Sequence, residues 1–99
     1  MSELVVYARP GCPFCMMLRA RMRKRGLDWR EVNIWEDKDA AAAVRATADG
    51  NETVPTVNVG STWLVNPSLS ELLDALTAEA PELVPPEPEG LLDKLGLRR

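Results

Sequence analysis

The chain has no histidine and only two cysteines in 99 residues. Without histidine there is no Ser-His or Cys-His dyad and little scope for transition-metal chemistry. A structural zinc site takes about four ligands, more than two cysteines supply, so no metal is expected. Aromatic residues are scarce: three Trp, one Tyr and one Phe. No stretch approaches the ~18 apolar residues of a membrane span, so no membrane association is expected. The N-terminus has neither a long apolar core nor a cleavage-like site, so no signal peptide is expected. The expected compartment is the cytoplasm, where thiols are kept reduced. A lone cysteine pair there is more often catalytic or metal-binding than structural.

Acidic residues are in slight excess, giving a net charge of -3, but the charge is segregated. Arg9, Arg19, Arg21, Arg23, Lys24, Arg25 and Arg30 crowd the first third, and Glu71, Asp74, Glu79, Glu82, Glu87, Glu89 and Asp93 the last. A basic stretch raises the question of nucleic acid. The aromatics are not interleaved with it, so it reads as a solvated helix face and no nucleic acid is expected. The length fits one domain, and a hydrophobic share of 45% suffices for a core.

What the chain does have is Cys12-Pro13-Phe14-Cys15, set between an apolar run, Leu4 to Tyr7, and a helical stretch. A strand followed by Cys-x-x-Cys at the mouth of a helix points to redox chemistry. Glu3 to Ala8 reads as a strand ending at the Pro10-Gly11 turn. Pro13 suits the first helical position, and Gly26 a helix stop near Arg25. Cys15, Leu18 and Met22 form an inward stripe. Trp29 to Ile34 alternates as a second strand. Asp37 to Ala48 reads as a helix capped by Asp37 or Asp39 and stopped by Asp49-Gly50-Asn51. Pro55 to Val59 and Thr62 to Val65 form a hairpin around Gly60-Ser61. Ser68 to Ala78 is a last helix, opened by a Ser68–Glu71 capping box.

The order β-α-β-α-β-β-α makes the first two strands parallel and the final hairpin antiparallel. The expected fold is α/β, a four-stranded mixed sheet with helices on both faces. Residues 1–80 form the expected domain. Residues 81–99 form a tail rich in Pro and Glu that reads as an extended linker. Leu91, Leu92, Leu95 and Leu97 could make a short helix, and whether the tail docks on the domain stays open.

Tyr7-Ala8-Arg9-Pro10-Gly11-Cys12-Pro13-Phe14-Cys15, followed by Thr53-Val54-Pro55-Thr56-Val57, resembles the glutaredoxin family, whose fold is thioredoxin-like. Where glutaredoxins usually carry Gly-Gly-x-Asp-Asp, this chain has Asn66-Pro67-Ser68-Leu69-Ser70-Glu71. That version, with Gly50 to Pro55 before it, is similar to actinobacterial mycoredoxin-like members, which use mycothiol instead of glutathione. The resemblance implies a monomeric thiol-disulfide oxidoreductase acting on protein disulfides or mixed disulfides. It implies no bound cofactor, a low-molecular-weight thiol (mycothiol or glutathione) as co-substrate, and disulfide-containing protein clients. One alternative is an electron donor to ribonucleotide reductase, recharged by thioredoxin reductase. Its usual Trp-Ser-Gly-Phe stretch is absent. The non-enzymatic alternative is an iron–sulfur cluster carrier, which a proline after the first cysteine crowds.

Cys12 and Cys15 are the expected catalytic residues. A cysteine at a helix start can fall from a pKa of about 8.5 to roughly 3.5–7.5, which makes Cys12 the expected accessible nucleophile. Cys15, one turn inward, is the expected resolving thiol. Arg9 stands where glutaredoxins usually have Lys and adds positive charge. The expected substrate-binding set is Arg9, Pro13, Phe14, Thr53, Val54, Pro55, Ser68 and Ser70. The resemblance implies a cis Val54–Pro55 bond, with the Val54 backbone offered to an extended substrate. Ser68 and Ser70 open a helix whose N-terminus suits a carboxylate, although capping alone also explains them. Trp29, Trp35 and Trp63 are expected to pack, with Trp35 a candidate for a groove edge. Met16 and Met17 are expected to pack.

Overall fold

The computed structural model describes residues 3–86. The elements are β1 (Leu4–Ala8), α1 (Pro13–Lys24), β2 (Arg30–Asn33), α2 (Lys38–Thr47), β3 (Thr56–Val59), β4 (Thr62–Val65) and α3 (Leu69–Glu79), followed by a 3-10 turn at Pro81–Leu83. The sheet order is β2-β1-β3-β4. β1 runs parallel to β2, with Ala8 opposite Asn33. It runs antiparallel to β3, with Tyr7 opposite Thr56, and Thr56 in turn faces Val65 of β4. This register brings the ends of β1, β2 and β4 and the start of β3 to one edge of the molecule. The α1 and α3 N-termini open there too.

Local chemistry explains the element ends. The α1 stripe Cys15, Leu18 and Met22 is buried. Gly26 (φ +86°) ends the helix, its N–H bonding the Arg23 carbonyl and the Leu27 N–H that of Met22. That is a Schellman cap, with Leu27 and Met22 packed together in the core. The Asp37 carboxylate, rather than Asp39, caps α2 by accepting from the Ala40 N–H at 3.0 Å. Ser68 and Glu71 form the reciprocal box on α3. The strands are a residue shorter than expected at several ends. Pro55 lies outside β3 because it has no N–H to give a ladder, and Glu3, Trp29 and Ile34 flank their strands.

The core has two parts. Leu4, Val6, Val57 and Val59 pack with Leu18, Met22, Leu72 and Leu76, seating α1 and α3 on one face of the sheet. Ile34, Ala40, Ala41 and Val44 join Tyr7 and Val32 on the other face and reach Ala8, Cys12, Cys15 and Val54. The stretch after Ala80 is not wholly extended, since Leu83 and Val84 pack against the larger cluster. Arg25 holds it further, its Nη1 donating to the Pro86 carbonyl at 3.2 Å. The expected Leu91–Leu97 helix and most of the 81–99 tail lie outside the described residues.

Candidate active site

Cys12 is the N-cap of α1. Its sulfur accepts the Cys15 N–H at 3.3 Å, one of the helix donors with no intrahelical partner. Its S–H points to the Val54 carbonyl at 3.7 Å. Val54 and Pro55 are joined by a cis peptide bond. Both cysteines are in the thiol form. Cys12 is more enclosed than expected for an open nucleophile: the residue is 2% exposed. The reason is tertiary, since Cys12 belongs to a buried cluster with Ala8 and the distant Val54.

The two thiols differ in acidity. Burial opposes ionisation of Cys12, but the Cys15 thiol and N–H, the Arg9 charge and the Phe14 N–H outweigh it, leaving its pKa below the ordinary thiol value. Cys15 is pushed up to about 11, first by burial and then by its hydrogen bond with Cys12. The arrangement therefore holds one acidic thiol at a helix terminus against one that keeps its proton.

Around this pair the structure gathers Arg9, Pro13, Phe14, Thr53, Val54 and Pro55 at the same edge. Thr53 accepts a bond through its carbonyl from the Thr56 hydroxyl at 2.7 Å, and the Pro55 carbonyl accepts from the Asn66 N–H at 2.7 Å. Both fix the segment beside Cys12. Ser68 and Ser70 are exposed at the α3 start. The Ser68 hydroxyl is occupied by the Glu71 N–H at 3.1 Å, and the Ser68 N–H by the Glu71 carboxylate at 2.9 Å. The cap leaves the Leu69 and Ser70 N–H groups without an intrahelical acceptor.

Three features were not expected from sequence. Trp35 is 62% exposed, and the Arg9 guanidinium lies 5.7 Å from its ring centroid; nothing in the spacing links residues 26 positions apart. Arg19, one turn beyond Cys15, bonds Glu31 at 2.7 Å, and Trp29 donates to the same carboxylate. Arg19 and Glu31 join Ala8, Arg9, Pro10 and Asn33 around a cleft of about 130 Å³. Third, Met16 and Met17 are exposed rather than packed, with Phe14 beside them. The buried face of α1 is only as wide as Cys15, Leu18 and Met22, and their positions fall outside it. Trp63 is also partly exposed, stacked on Tyr7 at 5.4 Å.

A Cys-x-x-Cys N-cap beside a Val-Pro turn on a thioredoxin-like sheet defines a thiol-disulfide oxidoreductase. The Glutaredoxin family model matches residues 4–64, more than half of the sequence, and this chain belongs to the glutaredoxin family. It is 33% identical to mycoredoxin 1 of Corynebacterium glutamicum over 84 residues, covering 81% of this chain and all of that one. NrdH-redoxin of Escherichia coli, described as glutaredoxin-like with a thioredoxin-like activity profile, is 29% identical. Its TM-score is 0.55, with 63% of this chain and 79% of that one covered. A glutaredoxin of Archaeoglobus fulgidus shares the fold, with a TM-score of 0.62, 23% identity, and coverage of 75% of this chain and 85% of that one. Among the described residues no helix is long and apolar enough to cross a membrane, and no cluster of metal-ligating side chains occurs.

Proposed function

We propose that this chain reduces mixed disulfides between proteins and a low-molecular-weight thiol, mycothiol in preference to glutathione, with Cys12 as nucleophile. The observation that carries the reading is the acidity split between Cys12 and Cys15. The Cys12 thiolate attacks the small thiol's sulfur in the mixed disulfide. That S–S bond breaks, and the client sulfur leaves with the electron pair and takes a proton from water. A second small thiol, as thiolate, attacks the sulfur now joined to Cys12. It carries away the first small thiol as a disulfide and restores the Cys12 thiolate.

With a protein disulfide, Cys12 joins the client. Cys15 then loses its proton and attacks the Cys12 sulfur, so that a Cys12–Cys15 disulfide forms and the client leaves as a dithiol. The Val54 backbone, Thr53 and Pro55 align the incoming chain, and Pro13 and Phe14 border the sulfur. Arg9 and the free N–H groups of Leu69 and Ser70, held in place by the Ser68 cap, meet the polar end of the small thiol: the amide and hydroxyl oxygens of mycothiol, which carries no carboxylate, or the carboxylates of glutathione. The proposed unit is the monomeric domain of residues 1–80, working in the cytoplasm. The preference for mycothiol is supported by the likeness to mycoredoxin 1.

Peptides carrying one cysteine as a mycothiol or glutathione mixed disulfide test this. Cys12→Ser should abolish turnover and Cys15→Ser should retain it, with the mycothiol peptide faster. A Cys15→Ser protein dead on both peptides would overturn the roles, and a faster glutathione peptide the choice of thiol. The likeness to NrdH-redoxin supports a second reading, electron donation recharged by thioredoxin reductase. Efficient reduction of the Cys12–Cys15 disulfide by that reductase would favour it.

A further inference from the structure

The reaction uses the first turn of α1 and leaves the rest of its outer surface unexplained. Pro13–Lys24 carries no acidic residue, in a chain whose net charge is negative. Arg19 is neutralised by Glu31, and Arg23 lies 6.0 Å from the Trp29 ring centroid. Arg21 and Lys24 are exposed and, among the described residues, form no ion pair. At 100° per residue, Phe14, Met17, Arg21 and Lys24 fall within roughly one quadrant of the helix. They make one ridge along α1, apolar toward the helix start that Cys12 caps and cationic beyond. Phe14 is 59% and Met17 49% exposed. The helix dipole favours cations in the last turn, but it gives no reason for the two exposed apolar side chains on the same face nearer the helix start.

We propose that this ridge docks protein clients whose reactive cysteine is followed or preceded, a short way off, by carboxylates. The inference rests on Cys12 being the attacking thiol. With a rise of about 1.5 Å per residue, Arg21 and Lys24 stand roughly 12–16 Å along the axis from the helix start. An extended client strand advances about 3.3 Å per residue, so its Asp or Glu residues fall about four or five positions from the cysteine, with an apolar side chain between them to meet Phe14 and Met17. Rim charges of this kind act on encounter more than on the bound state and are screened by salt. A client with such a segment is selected by its rate of capture, and a basic one is turned away.

Three twelve-residue peptides test this. Each carries one cysteine as a mixed disulfide with thionitrobenzoate; four or five positions away stand two Glu, two Gln or two Lys. The reduced protein attacks the peptide sulfur, the S–S bond breaks, and thionitrobenzoate leaves with the electron pair as a coloured thiolate, so the readout needs no small thiol. At low ionic strength the Glu peptide should react about five- to tenfold faster than the Gln peptide and the Lys peptide more slowly. The Glu-to-Gln ratio should collapse toward one in roughly 0.5 M salt and fall to one or below in Arg21→Glu/Lys24→Glu. Equal rates for the three peptides, or a ratio that survives the double variant, would overturn the inference. Failure of all three to react would overturn the Cys12 reading beneath it. Anisotropy with a labelled DNA duplex is the remaining arm: tight binding lost in the double variant would assign the ridge to nucleic acid and overturn the client reading.

Discussion

The two thiols can be separated by leaving each alone in turn. Cys12→Ser keeps only Cys15, and Cys15→Ser keeps only Cys12 while retaining an O–H where the Cys15 S–H stood. With a pKa of about 11, Cys15 is ionised to about one part in 10⁴ at pH 7, against about one in 10² for a thiol at the ordinary 9.0. A more basic thiolate is a better nucleophile, and a Brønsted slope near 0.5 restores about tenfold of that hundredfold loss. The net expectation is a Cys15 about tenfold slower toward iodoacetamide than an equally accessible ordinary thiol; Cys12 and Cys15 are 2% and 1% exposed, so enclosure slows both alike. In Cys12→Ser the hydrogen bond and charge of Cys12 are gone, but burial, the largest cause, persists. The Cys15→Ser protein should alkylate more than about tenfold faster at pH 7, and its rate should level off below the pH of an ordinary thiol. Pseudo-first-order alkylation followed by mass spectrometry from about pH 5 to 10 measures both. Comparable rates at pH 7, or a Cys12 profile that levels off above the Cys15 profile, would refute the assignment of the acidic thiol.

Glu79 accepts from the Ser61 N–H and hydroxyl and is held below the usual carboxylate range by those bonds. Its folded value is the lower one, so its contribution is present above the unfolded value and is lost as pH falls through the folded one. The melting temperature of wild type should therefore exceed that of Glu79→Gln at neutral pH and converge with it in acid; a gap that widens in acid would contradict the sign. A chain ending at Ala80 loses the packing of Leu83 and Val84 and should be less stable by about 1–3 kcal/mol in urea unfolding. Its turnover of a mixed-disulfide peptide should stay within about tenfold, roughly 1.4 kcal/mol of barrier, and a greater loss would mean the tail belongs to the site.

What was legible in the sequence was what neighbouring residues decide among themselves. Cys12 and Pro13 announce a helix start, Ser68 and Glu71 a cap, and Gly26 a stop, because each depends on bonds within one turn. The parallel β1–β2 pair and the antiparallel β3–β4 hairpin followed from connection lengths, whereas the β1–β3 pairing that joins them into one sheet did not. The pairing of Arg9 with Trp35, the Arg19–Glu31–Trp29 cluster and the enclosure of Cys12 by the Val54 segment depend on how distant elements meet, and no local pattern encodes them. Met16 and Met17 misled for a different reason: apolar residues near a motif read as core, but the angle around α1, not hydrophobicity, decided their exposure. Pro81 to Val84 misled because prolines signal a break in regular structure, while Leu83, Val84 and the Arg25–Pro86 bond seat the stretch on the domain.

The division of the core has a consequence for how the molecule opens. The cluster enclosing Cys12 is built largely from small side chains, Ala8, Ala40, Ala41, Val44 and Val54, whereas the one beneath α3 holds Leu4, Leu18, Met22, Leu72 and Leu76. Each small side chain hides less apolar area, so separating α2 and the Val54 segment from the sheet costs less than separating α3. Local unfolding is then cheapest at the edge where the sulfur is hidden. Amide exchange should be faster in α2 than in α3, and a thiol that is closed in the resting fold is reached through that partial opening while the leucine-rich half stays folded.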